Sequence, residues 1–380
     1  KASINKSTPP QPQRATIHIN GSEVKVTPGT TILEAARQAH IYIPTLCNHP
    51  LIKHPQGNCR LCLVNIEGEN GLKPACATEC RDGQEVRTQT EEIDSHIKFT
   101  LGLLRASHPN ACMTCAATGT CDFQDLCYRY QAPSAGDRGY VPTHPPRPET
   151  TLDTGQLTQA PGQMTQDPGG GGGSSSSSFS AVTFDPQKCI RCGRCVSVCA
   201  EVQGEGVIGF TGRGSEERVS TFEGRPLTPS AAEGGTDCIM CGQCAAVCST
   251  GAMCEKDDLH GLLTLMADKG GRTVVVSTAP AVRVAVAEEL GLAPGAIPTG
   301  QMFAALRGLG FDRVFDTNFT ADLTVLEEAS ELVGRVVSKG EAGPLPMFTS
   351  CCPGWINMVE KTYPEIIPHL STCKSPQQVR

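Results

Sequence analysis

The chain has 380 residues, a formal charge of −7, 39% hydrophobic and only 4% aromatic residues, and 21 cysteines. No apolar run is long enough to span a membrane, and the mildly acidic balance without a basic block argues against a nucleic-acid surface. Most cysteines lie two or three residues apart, which suits metal binding in a reducing compartment and not disulfides, whose Cα atoms need particular separations and vectors.

In chain order, residues 1–13 are polar and Pro-containing and read as a disordered tail. Residues 15–27, ATIHINGSEVKVT, predict two alternating strands around Asn20-Gly21, a type I′ hairpin signal. Thr30 or Thr31 can cap the helix ILEAARQA that follows, with Glu34 placed for a capping box. A Cys-rich loop covers 44–80, a helical pattern 91–105, and a second Cys group 108–127. From 131 to 180 periodicity is lost, and five Gly followed by five Ser close a predicted linker. A third unit, 181–258, holds two copies of one Cys pattern. The remainder, 259–380, alternates apolar strands (273–277, 313–317 and 346–350) with helical runs, the grammar of a parallel sheet.

CIRCGRCVSVC at 189–199 and CIMCGQCAAVC at 238–248 are both C-x2-C-x2-C-x3-C. Three thiolates at this spacing wrap three irons of a cubane, while the fourth reaches the partner cluster. Cys189, Cys192, Cys195 and Cys248 are therefore expected to hold one [4Fe–4S] cluster, and Cys238, Cys241, Cys244 and Cys199 another. Zinc sites usually need two CxxC pairs per ion and not four Cys in series. Ala200 and Ser249 stand where the bacterial ferredoxin pattern carries Pro, a residue that shapes the exit turn without binding iron. Upstream, Cys47, Cys59, Cys62 and Cys76 are expected to hold a [2Fe–2S] cluster, with a zinc-binding loop as the alternative. His108, Cys112, Cys115 and Cys121 are expected to hold a third [4Fe–4S] cluster, whose imidazole ligand makes the site less negative.

Residues 15–130 resemble the N-terminal part of the large iron–sulfur subunit of respiratory complex I, a portion shared with [FeFe]-hydrogenases. The segment TSCCPGW at 349–355 resembles the first active-site signature of those hydrogenases. STAPAVRVAVAEELG (277–291), FDTNFTADLTVLEEASEL (315–332) and KSPQQ (374–378) support the resemblance. It implies a multidomain α+β fold. A β-grasp [2Fe–2S] domain would cover 14–88, a small helical His/Cys domain 89–130 and a two-cluster ferredoxin domain 181–258. The start of an α/β catalytic domain would occupy 259–380.

The activity implied is that of a ferredoxin-dependent hydrogenase, converting protons and electrons to H2 at an H-cluster: a cubane joined to a two-iron unit with CO, cyanide and an azadithiolate. Carried over by resemblance, Cys352 is a cubane ligand and Cys351 the proton-relay thiol, continued by Glu331, Ser371 and Glu328. Pro280 and Met347, with Trp355, would pack around the cluster. Glu331 and Arg335 are also spaced as an ordinary i,i+4 surface pair. Ala281 departs from the Ser of clostridial members.

The family's two later signatures, which supply the other cubane ligands, do not occur, so the chain is expected to be a fragment that is inactive alone. Implied partners are a ferredoxin-type electron carrier and hydrogenase maturation factors. The expected compartment is the chloroplast stroma, with an anaerobe's cytoplasm as the alternative. A complex-I-like electron-transfer subunit and a Narf-like iron–sulfur assembly protein are the rival readings. Cys80, Cys127, Cys254 and Cys373 receive no role.

Overall fold

The computed structural model describes residues 14–132 apart from Pro55 and Asn110, then 181–221 and 238–379. The predicted tail, 1–13, and nearly all of the predicted linker, 131–180, lie outside the described residues. The chain divides into two compact units. The first comprises Lys1–Cys238 and Gly242–Glu255, the second Ile239–Cys241 and Lys256–Arg380.

In the first unit, β1 (Ala15–Ile19) and β2 (Ser22–Val26) pair antiparallel through a turn with positive φ at both Asn20 and Gly21, as the dipeptide predicts. With β3 (Leu63–Ile66), β4 (Lys73–Pro74) and β5 (Glu85–Arg87) they form a mixed sheet of order β2-β1-β5-β3-β4. Of the two candidate caps for α1 (Ile32–Gln38), Thr31 is the one used, and it forms the full capping box with Glu34. The alternating Ile17, Ile19, Val24 and Val26 meet Ile32, Leu33, Ala35 and Ala36 of α1 in a single core.

A second core lies under the next two helices, α2 (Glu91–Ala106) and α3 (Asp122–Arg129). Ile93, Ile97 and Leu101 recur at four-residue spacing along one face of α2 and pack with Leu46, Leu61, Phe123 and Leu126. Cys47, Cys59 and Cys121 belong to the same core, so one apolar cluster backs both N-terminal cysteine groups.

The rest of this unit is small. Strands β6 (Val182–Phe184) and β9 (Met253–Glu255) pair antiparallel, as do β7 (Ile208–Thr211) and β8 (Arg218–Thr221). The short helices α4 (Arg194–Ser197) and α5 (Gln243–Ala246) each follow a left-handed glycine, Gly193 and Gly242.

The second unit holds α6 (Leu259–Ala267), α7 (Val282–Glu289), α8 (Thr299–Gly308), α9 (Thr317–Val337) and α10 (Pro353–Thr362). Its strands β10 (Val275–Thr278) and β11 (Arg313–Asp316) pair in parallel, as the alternation predicts. The predicted strand at 346–350 is not formed: Phe348 makes one isolated parallel bridge to Leu370. Pro344 and Pro346 have no amide hydrogen to donate, so a longer ladder cannot extend back from Phe348. Arg283, 7% exposed, donates to Asp316, Thr299 and the Pro280 carbonyl, and so ties α7 to α8 and to the start of α9. Among the described residues no helix is long and apolar enough to cross a membrane.

Candidate metal centres

Cys47, Cys59, Cys62 and Cys76 are all buried, and their side chains bond to one another. Hydrogen bonds from Cys59 and Cys76 hold the Cys47 thiol far below its ordinary range. Cys59 and Cys76 are pushed far up by those same bonds and by burial. Four buried thiols this close cannot all ionise unaided, because each added negative charge raises the next; a polycationic iron centre removes that conflict. The donor set therefore fits a thiolate-bound cluster. Left-handed backbone at Gly57 and Arg60 curls the loop, and the Leu46 amide donates to Cys59 Sγ at 3.4 Å.

Cys112, Cys115 and Cys121 line a partly open cavity together with His108. His108 Nδ1 lies 3.1 Å from the Pro109 carbonyl oxygen, which selects the Nδ1–H tautomer. Its Nε2 is left buried without a hydrogen-bond partner. Burial also lowers the imidazole pKa, so the ring stays neutral and Nε2 carries a free lone pair. A neutral imidazole so presented suits metal ligation. Lys188 and Thr250 also line it.

A second, partly open cavity is lined by Cys189, Cys192, Cys195 and Cys248, three thiols of one motif and the last of the other. Burial pushes the Cys189 thiol up to about 11, the cost that an ion pair with iron would offset. Arg191-Gly193 and Met240-Gly242 carry positive φ in both motifs, so the chain wraps in the same way twice. Of the other assigned set, Cys199 is buried, Cys238 and Cys244 are half-buried, and Cys241 is exposed. The division between the two units runs through this motif, with Cys241 grouped in the second.

The loop between Cys47 and Cys59 reaches the first C-x2-C-x2-C-x3-C motif: Gln56 Nε2 donates to Ser197 Oγ at 3.1 Å and Asn58 Nδ2 to the Arg191 carbonyl at 3.3 Å. Arg194, 5% exposed, donates to Asp122 Oδ2 at 2.6 Å and to the Val247 carbonyl at 3.4 Å. Spacing gave no signal for this long-range pair. Three of the cysteines without a role are structural: Cys80 and Cys127 pack against the two cores, and Cys254 sits opposite Thr183 in β6–β9.

In the second unit, Cys352 precedes α10, with Pro353 in the first helical position. A Cβ on Gly354 would lie 3.8 Å from Cys241 Cα and 4.0 Å from Cys352 Sγ, so the first turn of α10 fills the space between these two cysteines. Asn357 Nδ2 donates to the Ile239 carbonyl at 3.2 Å and secures that approach. Cys351 and Cys352 are exposed, as is Pro280, while Met347 is half-buried.

Glu331 and Ser371 are brought together, the hydroxyl donating to Oε2 at 2.9 Å. Arg335 takes the other oxygen at 2.5 Å and is 3% exposed, so the pair that spacing suggests on the surface has a buried cation and a half-buried carboxylate. Burial works against the Glu331 charge, but Arg335, Ser371 and the Thr372 amide outweigh it and the pKa is lowered. Glu328 lies one turn earlier on α9, half-buried, and its charge, after burial, helps push the Cys373 thiol up. Cys351 is not among the partners of Glu331, which are Arg335, Ser371 and Thr372.

Four family models match the chain in succession. They are a 2Fe-2S iron-sulfur cluster binding domain at 13–91, an NADH-ubiquinone oxidoreductase-G iron-sulfur binding region at 98–134, a 4Fe-4S dicluster domain at 188–252 and the C-terminal domain of the iron-only hydrogenase large subunit at 272–380. The chain is 38% identical over 372 residues to the NADP-reducing hydrogenase subunit HndD of Solidesulfovibrio fructosivorans, covering 96% of this chain and 57% of that protein. It is 34% identical over 370 residues to iron hydrogenase 1 of Clostridium pasteurianum, again covering 96% and 57%. The alpha chain of the NADPH-Fe(3+) oxidoreductase of Geobacter sulfurreducens is 31% identical, but over 209 residues, 55% of this chain and 21% of that one. The chain thus spans somewhat more than half the length of the two hydrogenases, and only they match it nearly end to end among these three. Residues 272–380 thus belong to the iron-only hydrogenase C-terminal domain family, with 2Fe-2S and 4Fe-4S binding domains ahead of them.

Proposed function

We propose that this chain carries the electron relay and part of the proton path of a hydrogenase that interconverts protons, electrons and H2, with a ferredoxin-type carrier as donor. The observation that carries the reading is the cavity whose lining unites Cys189, Cys192 and Cys195 with Cys248 of the other motif. By this reading Cys47, Cys59, Cys62 and Cys76 hold a [2Fe–2S] cluster. Three [4Fe–4S] clusters are held by His108 with Cys112, Cys115 and Cys121, by the cavity's four thiols, and by Cys238, Cys241, Cys244 and Cys199. Bound there, the clusters supply one-electron transfer at low potential.

The chain's own residues set the conditions. Buried thiols ligate iron and exclude water, and the neutral Nε2 of His108 makes its site less negative than an all-thiolate one. Ser371 can accept and donate at once, so the Ser371–Glu331 contact can pass a proton without either group moving far. Arg335 keeps Glu331 ionised and positioned. Cys351 is the proposed thiol at the inner end of this path, with Glu328 on the same helix as Glu331. Cys352 supplies one ligand where a catalytic cubane needs four, so H2 chemistry is proposed for the whole protein.

Anaerobic reconstitution should load about 14 irons per chain with matching sulfide. A zinc-rich product would overturn the scheme. In the whole loaded enzyme, H2 oxidation should reduce ferredoxin; reduction of NADP alone, the acceptor in the name of the Solidesulfovibrio relative, would replace that donor. Cys351→Ala should keep its iron and lose most turnover, and unchanged turnover would remove Cys351 from the path.

A further inference from the structure

Ser249 immediately follows Cys248, at the position where the two-cluster pattern carries Pro, and it is 1% exposed. Its hydroxyl donates to Cys192 Sγ at 3.4 Å. Its carbonyl accepts from the Phe123 amide at 3.1 Å and lies 3.5 Å from Cys121 Sγ. Thus one residue touches a cysteine of the His108 site and a cysteine of the Cys189–Cys248 site. Two further facts place the same turn between the two sites. Thr250 lines both cavities. Gly251, at φ +65°, approaches so closely that an added Cβ would lie 2.4 Å from the Cβ of Ala117. The ion pair of Arg194 with Asp122 clamps α4 to the start of α3 beside it.

We infer that Ser249 is a positioning residue that raises the reduction potential of the cluster on Cys189, Cys192, Cys195 and Cys248 and joins that cluster to the His108 site. The inference rests on the ligand assignment proposed above. An iron-bound thiolate can still accept the Ser249 O–H, whereas Cys121, once bound to iron, no longer donates, and its approach to the Ser249 carbonyl becomes a plain sulfur–oxygen contact. Adding one electron makes the cluster more negative and its sulfurs better acceptors. The hydrogen bond is then stronger in the reduced state, so reduction becomes easier. The electron balance is a simple one-electron exchange: the reduced neighbour is oxidised, this cluster is reduced, and no proton or bond is transferred. Pro at this position has neither a hydroxyl nor an amide hydrogen and could not do the same.

The test is an EPR-monitored redox titration of the reconstituted full chain, wild type against Ser249→Ala and Ser249→Thr, each checked for iron and sulfide content. In Ser249→Ala the ratio of reduced to oxidised cluster at fixed solution potential should fall about tenfold for one [4Fe–4S] signal, which is 59 mV for a one-electron couple. Ser249→Thr, which keeps the hydroxyl, should titrate close to wild type. Pulsed EPR after exchange into D2O should show, beside the amide protons that Arg194 and Met253 direct at Cys192 and Cys248, one further exchangeable proton coupled to that cluster in wild type, and that coupling should be missing in Ser249→Ala. This second readout needs no comparison of stabilities. Unshifted titration of fully loaded Ser249→Ala would overturn the inference, as would an equal shift of every cluster. A wild-type chain without [4Fe–4S] signals would overturn the ligand assignment itself.

Discussion

Arg335 donates to Glu331 Oε1 at 2.5 Å from a position where 3% of its side chain is exposed. The same guanidinium reaches the carbonyls of Pro344 and Leu370. Helix α9 is thereby joined to the segment bearing Ser371 by one buried cation. Removing the cation leaves a half-buried carboxylate and two carbonyls without their donor, at a cost of about 1–3 kcal/mol. Arg335→Ala should lose local stability in that range, read as faster amide exchange in α9 and at 370–372. The double change Glu331→Leu with Arg335→Met should cost less than Arg335→Ala, since no charge then remains buried.

The same carboxylate predicts a pH dependence. The Glu331 pKa is lowered from an ordinary value of 4.5, so the folded state favours its charged form. A carboxylate shifted in this direction contributes stability above its unfolded pKa and loses it as pH falls through the folded value. Exchange protection around Ser371 should therefore hold from pH 7 to about 5 and decline below about 4.5. Glu331→Gln should be weaker at neutral pH and nearly flat across that window. A wild-type profile that rises on acidification would contradict the assignment.

His108→Cys tests the imidazole ligand. A thiolate in its place adds a negative charge to the site and should shift that cluster's midpoint to lower potential without changing the iron count. The EPR titration of the other clusters should stay in place. If His108→Cys and wild type titrate alike, His108 is not a ligand and its unpartnered Nε2 needs another explanation.

Gly251→Ala should be among the most damaging small substitutions in the first unit. The new methyl would lie 2.4 Å from the Ala117 Cβ at a residue with φ +65°, adding overpacking of about 1–3 kcal/mol to left-handed strain of about 1–2 kcal/mol. Because the clash is with a single methyl, Ala117→Gly should recover the packing part and leave the backbone part. Chelator-driven iron loss from the two adjacent sites is the convenient measurement.

Much of the molecule was legible from local chemistry. The Asn20-Gly21 turn, the Thr31–Glu34 box and the CxxC loops involve residues within a few positions of one another, where backbone geometry alone limits the outcome. The Ile93–Ile97–Leu101 stripe likewise announces its helix by periodicity. The strand expected at 346–350 failed because Pro346 at its start and Pro344 just before it outweighed its apolar composition.

The sequence by itself determined which residue types could bind metal and how each motif would curl, since spacing sets what a short loop can reach. The tertiary structure decided what those motifs meet. Ser249 looks in the sequence like a neutral departure from Pro, yet folding sets its hydroxyl on Cys192, 57 positions away, and its carbonyl beside Cys121. Arg335 has the spacing of a surface pair and is instead buried by carbonyls from 344 and 370. Both outcomes depend on contacts between distant segments, and such contacts leave no periodic trace because only the packed core brings their partners within hydrogen-bond distance.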